Sequence, residues 1–345
     1  GKSSVEGQQD SIKLSANESA LGPSPKALSA FCEAGNSLHL YPDGTSIELR
    51  GALGLANGLN PDRIVCGAGS DELLYNLARG YAGPGDEILF GEHGFNVYPI
   101  VAYCVGANPV KVREKNLTFD VDATLARVTT KTRIVFIANP NNPTGSYIPA
   151  EELTRLRAGL REDILLVIDC AYAEFVTGTD YNVGFDLVDG AENTVVTRTF
   201  SKIYALASLR VGWAYCPPSI ADVLNRLRAP FNLSTASQLA GKAAVEDVGH
   251  VEAAQDHNMV WLPWLRDRLT ECGLTVYPSA ANFLLVRFPD DAAHNSQGAM
   301  AFFRSKGIIP RETSVYGLPE CLRVTIGRED AMKAFAVNAK EFMAK

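Results

Sequence analysis

No apolar run in this chain is long enough to cross a bilayer. The most apolar stretch covers only residues 164–168, where a spanning helix needs about 20. No block of like charge occurs either. The 32 Lys+Arg and 39 Asp+Glu give a formal net charge of −7. Without a basic stripe, a nucleic-acid surface is not expected. Cysteine is scarce and scattered: there are 7, an odd number, with no Cys-x-x-Cys. That argues against a disulfide framework and fits buried free thiols in a reducing cytoplasm. No secretory signal is visible, and Gly1 suggests a trimmed start. Histidine is also rare, at 5 residues. His250 and His257 lie two turns apart on one expected helix, which does not match the i, i+4 spacing of zinc helices. They read as part of a solvated face, and no metal site is expected.

The length, 345 residues, allows two domains and a large core, and 46% hydrophobic with 21% charged residues is ordinary for a globular protein. Short Val/Ile-rich strands near 63–66, 87–90, 133–138, 164–169, 194–197 and 211–216 alternate with helical stretches. Helices are expected at 46–59, 73–81, within 95–106, and at 150–160. This alternation predicts an α/β fold with a mostly parallel sheet covered by helices on both faces. After Pro230 the pattern changes. A long, mostly helical stretch at 237–272, with a kink or break at Pro263, precedes short strands and helices at 299–306 and 329–343. This predicts a smaller α+β unit. The expected borders are 1–36 for an N-terminal arm of the small domain, 37–236 for the large domain and 237–345 for the small one. The first ten residues read as polar and loose.

In such sheets ligand groups gather at strand carboxyl ends. Gly69, Asn142, Asp169 and Lys202 all follow expected strands. Gly67-Ala-Gly69 before a helix suits a phosphate, because glycine lets backbone amides approach and the helix dipole favours an anion. Turns of this kind also arise for backbone reasons alone. The stretch 199–210 places Lys202 among small and apolar residues, with Thr199 and Ser201 before it and Arg210 eight positions on. A lysine in apolar surroundings loses part of its preference for the charged form and can offer a free amine to a carbonyl. Hydroxyls and an arginine around it suit a phosphate. Pyridoxal phosphate is an aldehyde carrying a phosphate. An ordinary surface lysine at a strand end is the alternative on this stretch alone.

Together, Asn139-Pro-Asn-Asn-Pro-Thr-Gly145, Asp169-Cys-Ala-Tyr172, Ser201-Lys202 and the spacing to Arg210 resemble the fold-type I aminotransferases that depend on pyridoxal phosphate (PLP). Leu14-Ser-Ala-Asn-Glu18, Gly22-Pro-Ser-Pro25, Tyr41-Pro-Asp43, Gly67-Ala-Gly-Ser-Asp-Glu72, Ser279-Ala-Ala-Asn-Phe283, and Tyr316-Gly-Leu-Pro319 with 322–327 are similar to the histidinol-phosphate aminotransferases among them. The resemblance covers nearly the whole chain.

The resemblance implies an aspartate aminotransferase-like fold and a role for each matched residue. Lys202 would hold PLP through its amine and move the substrate proton. Asp169 would pair with the pyridine nitrogen, keeping it protonated and the ring a better electron sink. Asn142 and Tyr172 would bond the ring oxygen, and Phe95 would stack on the ring. The Gly69 turn with the amides of Ser70 and Asp71, Thr199, Ser201 and Arg210 would hold the phosphate. Tyr41 would reach the cofactor phosphate of a partner subunit, making a homodimer with shared sites. Arg323 would bind the acidic group of the substrate, with Arg311 and Asn17 also at the substrate side. The implied reaction exchanges L-histidinol phosphate and 2-oxoglutarate with imidazole-acetol phosphate and glutamate. Aromatic amino-acid transamination and decarboxylation of a phosphorylated amino acid remain alternatives. A PLP-binding regulator would need a DNA-binding module, for which no room is expected before Leu14. Two departures fall near the expected substrate entrance: Asn17-Glu-Ser-Ala20 replaces the common Asn-Glu-Asn-Pro, and Glu92-His-Gly-Phe95 replaces a Pro-Thr-Tyr run.

Overall fold

The computed structural model describes residues 11–344; the reading of residues 1–10 as loose lies outside them. A seven-stranded sheet forms the centre. In spatial order its strands are Ile64–Gly67, Gly212–Tyr215, Thr194–Thr199, Leu165–Asp169, Thr132–Ala138, Glu87–Gly91 and Asn108–Val112. Only Gly212–Tyr215 runs antiparallel to its neighbours. The sheet is buried on both faces. One face carries Leu89, Val135, Ile137, Leu166, Ile168 and Val196 into a core with Leu49 and Leu53. The other carries Ile88, Phe90, Ile134, Phe136, Val167 and Val195 against Leu73, Leu77 and Val101. Two covered faces explain the unbroken Val/Ile character of the strands.

A second sheet is antiparallel, in the order Arg311–Glu312, Cys321–Thr325, Phe283–Arg287, Thr275–Val276. Its core gathers Leu284, Val286, Leu322 and Val324 with Phe303 and Phe335 from the helices Ser296–Ser305 and Glu329–Met343. The N-terminal strand Ile12–Lys13 pairs in parallel with Ile308–Ile309, tying the chain start to this unit.

Three local expectations are corrected. The helix expected from residue 73 starts one turn earlier, as Gly69–Tyr81. Pro263 does not break the long helical stretch but sits inside the helix Val248–Glu271. The break falls at Asp247, whose backbone (φ −93°, ψ 65°) separates that helix from Thr235–Glu246. His250 and His257 are not a solvated face. Both are half-buried, and their Nε2 atoms bond the carbonyls of Gly22 and Gly327, each at 2.9 Å. Ala27 of the helix Pro25–Glu33, and Ala240, Ala244 and Val245, pack in the core with Leu49 and Leu53. They thus lie on the large-sheet side of the borders expected at 36 and 236.

Candidate active site

The carboxyl ends of four strands converge on one cavity of about 190 Å³. Ala138 ends one strand and leads into Pro140 and Asn142; Asp169 ends the next, followed by Ala171 and Tyr172; Thr199 ends the third, followed by Ser201 and Lys202. From Gly67 the chain turns into the helix beginning at Gly69, which adds Ser70 and Asp71. Phe95, Ala207 and Arg210 complete the lining. A larger cleft of about 740 Å³ opens around Thr144, Tyr147 and Ser279. It has no charged lining residue and holds none of the expected site residues, so size does not mark the site.

Asp169 is buried, and its carboxylate accepts from Tyr98 Oη at 3.0 Å and Thr197 Oγ1 at 3.2 Å. Burial pushes its pKa up to about 6, although the two hydroxyls favour the ionised form. A cationic ring nitrogen at this point would supply the charge the carboxylate lacks. Tyr98 is itself fixed by a parallel stack on Phe136, 4.8 Å between centroids, and an edge contact with Phe95. Neither Tyr98 nor Thr197 was expected from sequence. Both are interior residues of ordinary elements, and only the register between Leu165–Asp169 and Thr194–Thr199 brings Thr197 opposite Asp169.

Lys202 is half-buried and lines the cavity. Burial, then the positive charge of Arg323, lowers its pKa to about 8. Its Nζ donates to the Ala16 carbonyl at 3.0 Å and lies 5.6 Å from the centroid of the Tyr172 ring. Tyr172 accepts from Asn17 Nδ2 at 2.9 Å. Asn17 Oδ1 in turn accepts from Thr325 Oγ1, so the N-terminal segment is stitched over the cavity from both sheets.

The end of the cavity at Arg210 is equally constrained. Arg210 reaches Ser201 Oγ at 3.3 Å, the Ala207 carbonyl at 3.0 Å and Asp71 Oδ2 at 3.3 Å. Gly69 has φ +80°, and its missing Cβ would lie inside the Arg210 guanidinium. A Cβ on Gly212 would strike the backbone nitrogen of Ser70. Strand, turn and arginine therefore close into a cup of amides, hydroxyls and one cation at a helix N-terminus, the donor set that suits a phosphate dianion. The residues present fit PLP: cup, buried acid and low-pKa amine line one cavity.

Arg323 lies outside the lining but is buried. Its Nη1 donates to Asn142 Oδ1, and Nη2 donates to the Ser15 carbonyl at 2.7 Å. Its Nε is buried with no hydrogen-bond partner, and among the described residues no acid pairs with it. Burial is the main influence lowering its pKa. An unpaired buried guanidinium is costly unless a ligand completes it. Arg311 is the cross-strand neighbour of Arg323 and half-buried. Tyr41 is not brought to this cavity. It is 82% exposed and stacks on Phe231, 4.8 Å between centroids.

The chain matches the family model for aminotransferase class I and II over residues 9–338. It is 55% identical to a histidinol-phosphate aminotransferase of Paramagnetospirillum magneticum, covering 99% of this chain and 94% of that one. It is 51% identical to one from Rhodopseudomonas palustris (strain BisB18), covering 100% and 95%. The crystal structure of histidinol-phosphate aminotransferase from Sinorhizobium meliloti in complex with pyridoxal-5'-phosphate superposes with a TM-score of 0.93 at 28% identity, covering 98% and 92%. A mutant aspartate aminotransferase of Thermus thermophilus, 20% identical with a TM-score of 0.85, shares the fold. With a family model spanning nearly its full length and relatives above half identity, this chain belongs to the class I and II aminotransferases.

Proposed function

We propose that the protein is a PLP-dependent transaminase that exchanges L-histidinol phosphate and 2-oxoglutarate with imidazole-acetol phosphate and L-glutamate, a step of histidine biosynthesis. The observation that carries the reading is the single cavity in which Lys202, Asp169 and the cup at Gly69 meet, beside a buried, unpaired Arg323. When bound, PLP supplies an electron sink for the bond broken at the substrate's amine-bearing carbon.

The chain's own residues do the rest. Asp169 holds a proton at the ring nitrogen, supported by Tyr98 and Thr197. The amides of Ser70 and Asp71, with Thr199, Ser201 and Arg210, hold the phosphate, and Gly69 leaves room for the guanidinium. Phe95, which lines the cavity, would cover a ring face. Asn142, whose Oδ1 is occupied by Arg323, keeps Nδ2 to donate to the ring oxygen beside Tyr172. Lys202 anchors the cofactor through its amine. With a lowered pKa it also takes and returns the proton at the substrate carbon near neutral pH. Arg323 pairs with the carboxylate of glutamate and 2-oxoglutarate and with the phosphate of histidinol phosphate. Arg311 adds positive charge beside it, and Asn17 positions Tyr172.

A homodimer belongs to the same reading, with Tyr41 reaching the partner's cofactor. So does a large domain that runs on to about residue 246, because Thr235–Glu246 packs in its core. Cytoplasmic residence fits seven free cysteines, four of them buried. Among the described residues no helix is long and apolar enough to cross a membrane.

The test is Lys202→Ala together with a substrate panel. Lys202→Ala is expected to lose measurable turnover and the visible absorbance of bound cofactor. Wild-type rates with histidinol phosphate are expected to exceed those with phenylalanine and tyrosine by about 100-fold or more. A wild-type-like Lys202→Ala variant refutes the mechanism; equal rates across the panel refute the substrate.

A further inference from the structure

We propose that His93 is a positioning residue: it fastens the small-sheet turn at Tyr316 to the loop carrying Phe95, and so fixes Arg323 for the acidic group of the substrate. This rests on the reading of Arg323 as the acid-binding group.

His93 lies in the segment that departs from the common Pro-Thr-Tyr run. Its backbone is held on the large-sheet side at both polar groups. The N–H donates to Glu114 Oε1 at 3.1 Å, and the carbonyl accepts from Asn141 Nδ2 at 3.4 Å. Glu114 is wedged where Gly91 has no side chain. The anchor is therefore built into the end of the strand Glu87–Gly91. The side chain then crosses to the other unit, where His93 Nδ1 meets the Tyr316 carbonyl at 2.7 Å. A carbonyl only accepts, so Nδ1 carries the proton in this contact.

The turn on the far side is rigid. Tyr316 and Gly317 N–H bond back to the carbonyls of Thr313 and Ser314, and Thr313 Oγ1 is bonded to the carbonyls of Leu318 and Cys321 at 2.7 Å each. The buried Tyr316 side chain lies near Arg323, and Thr313 Oγ1 ties the turn to Cys321, two residues before Arg323 on the strand Cys321–Thr325. Arg323 returns to the large-sheet side through Asn142, whose neighbour Asn141 holds the His93 carbonyl. Two contacts, His93–Tyr316 and Arg323–Asn142, thus cross between the two sheets at either end of the short stretch from Tyr316 to Arg323.

The two crossings are not equivalent. The Arg323–Asn142 crossing uses the guanidinium that an incoming carboxylate or phosphate competes for. The His93–Tyr316 crossing involves no group assigned to substrate or cofactor. It can hold the turn, and through Cys321 the strand that carries Arg323, while Arg323 changes partners. A side chain held in place loses less freedom on binding, so the effect belongs in KM more than in kcat.

The experiment compares holoenzyme forms of wild type, His93→Ala and His93→Asn. Asparagine can place an N–H near the position of Nδ1. His93→Ala is expected to raise KM for 2-oxoglutarate and for the amino donor about tenfold, with kcat within about twofold and cofactor absorbance unchanged. Hydrogen exchange at Gly317 and Leu318 should speed up about tenfold. His93→Asn should return both readouts towards wild type. If His93→Ala does not fold, His93→Phe, which lacks the donor, takes its place. Unchanged exchange in the donor-less variant, an effect on kcat alone, or His93→Asn no better than His93→Ala each overturns the proposal. Glutamate as donor keeps the comparison valid if histidinol phosphate is not a substrate. Failure with histidinol phosphate alone then counts against the substrate, not against His93.

Discussion

At the scale of single residues, charge is handled by burial. Asp169 has a raised pKa because the sheet removes it from water, and only two hydroxyls partly compensate. The sign of its effect on stability follows. The folded pKa, about 6, lies above the ordinary 3.8, so the folded state binds the proton more tightly. The cofactor-free fold therefore carries no penalty from this group below about pH 4, and the full penalty above about pH 6. A rise of that size corresponds to at most about 3 kcal/mol. Cofactor-free Asp169→Asn is expected to be more stable than wild type at pH 8 by about 1–3 kcal/mol, with the difference vanishing near pH 4. Urea melts at the two pH values measure it. The same variant should lose about 100-fold or more in turnover, since the group proposed to stabilise a ring cation is gone. A variant that is less stable at pH 8 would mean that the carboxylate is satisfied without a ligand. Asp169 was legible in the sequence because it ends an apolar strand before a tyrosine-bearing turn. Tyr98 was not, because a tyrosine in an apolar helix looks like any core aromatic until Phe136 and Asp169 are seen on either side of it.

At the scale of elements, the cup at Gly69 depends on one helix starting where a second strand touches it. The sequence pattern marked the glycine turn but set the helix start at residue 73. Gly69 and Ser70 are poor helix formers, and apolar periodicity begins only at Leu73. The helix nevertheless starts at Gly69, with Glu72 accepting from the Ala68 N–H and Gly212 leaving room for its strand against Ser70. The Gly212 contact is long-range and leaves no local mark. The same reasoning explains the long helix: Pro263 is tolerated inside Val248–Glu271, while Asp247, unremarkable by composition, separates it from its predecessor. Gly212→Ala is expected to push Ser70 outward, raise the Kd for PLP at least about tenfold, and destabilise the fold by about 1–3 kcal/mol. Gly249→Ala, in an exposed helical position with nothing within 4 Å of its added Cβ, is expected to be neutral or to stabilise by up to about 1 kcal/mol. Cofactor titrations and melts of the two variants separate a cup effect from a general cost of replacing glycine.

At the scale of the whole molecule, the alternation of strands and helices predicted the large sheet, and the change of pattern after Pro230 predicted the smaller unit. The borders were less legible, because the helices Pro25–Glu33 and Thr235–Glu246 pack together on the large core from opposite ends of the sequence. The outer surface carries the last consequence. Leu38, Leu40, Tyr41 and Ile47 are 82%, 60%, 82% and 65% exposed along one stretch, and Tyr41 is stacked on Phe231, itself 46% exposed. Apolar side chains grouped in this way favour association. If Tyr41 completes the phosphate cup of a partner, association and cofactor retention are coupled by mass action. Diluting wild type should then release PLP in step with dissociation. Leu38→Asp with Leu40→Asp should shift the protein to monomer and weaken PLP binding about tenfold or more. Tyr41→Phe should leave the dimer intact and weaken PLP by only about 3- to 10-fold, the worth of one charge-assisted hydrogen bond. Sedimentation velocity read at the cofactor absorbance band follows both quantities at once. A monomer that keeps its cofactor at wild-type affinity would sever the link, leaving Tyr41 a surface residue with no part in the site.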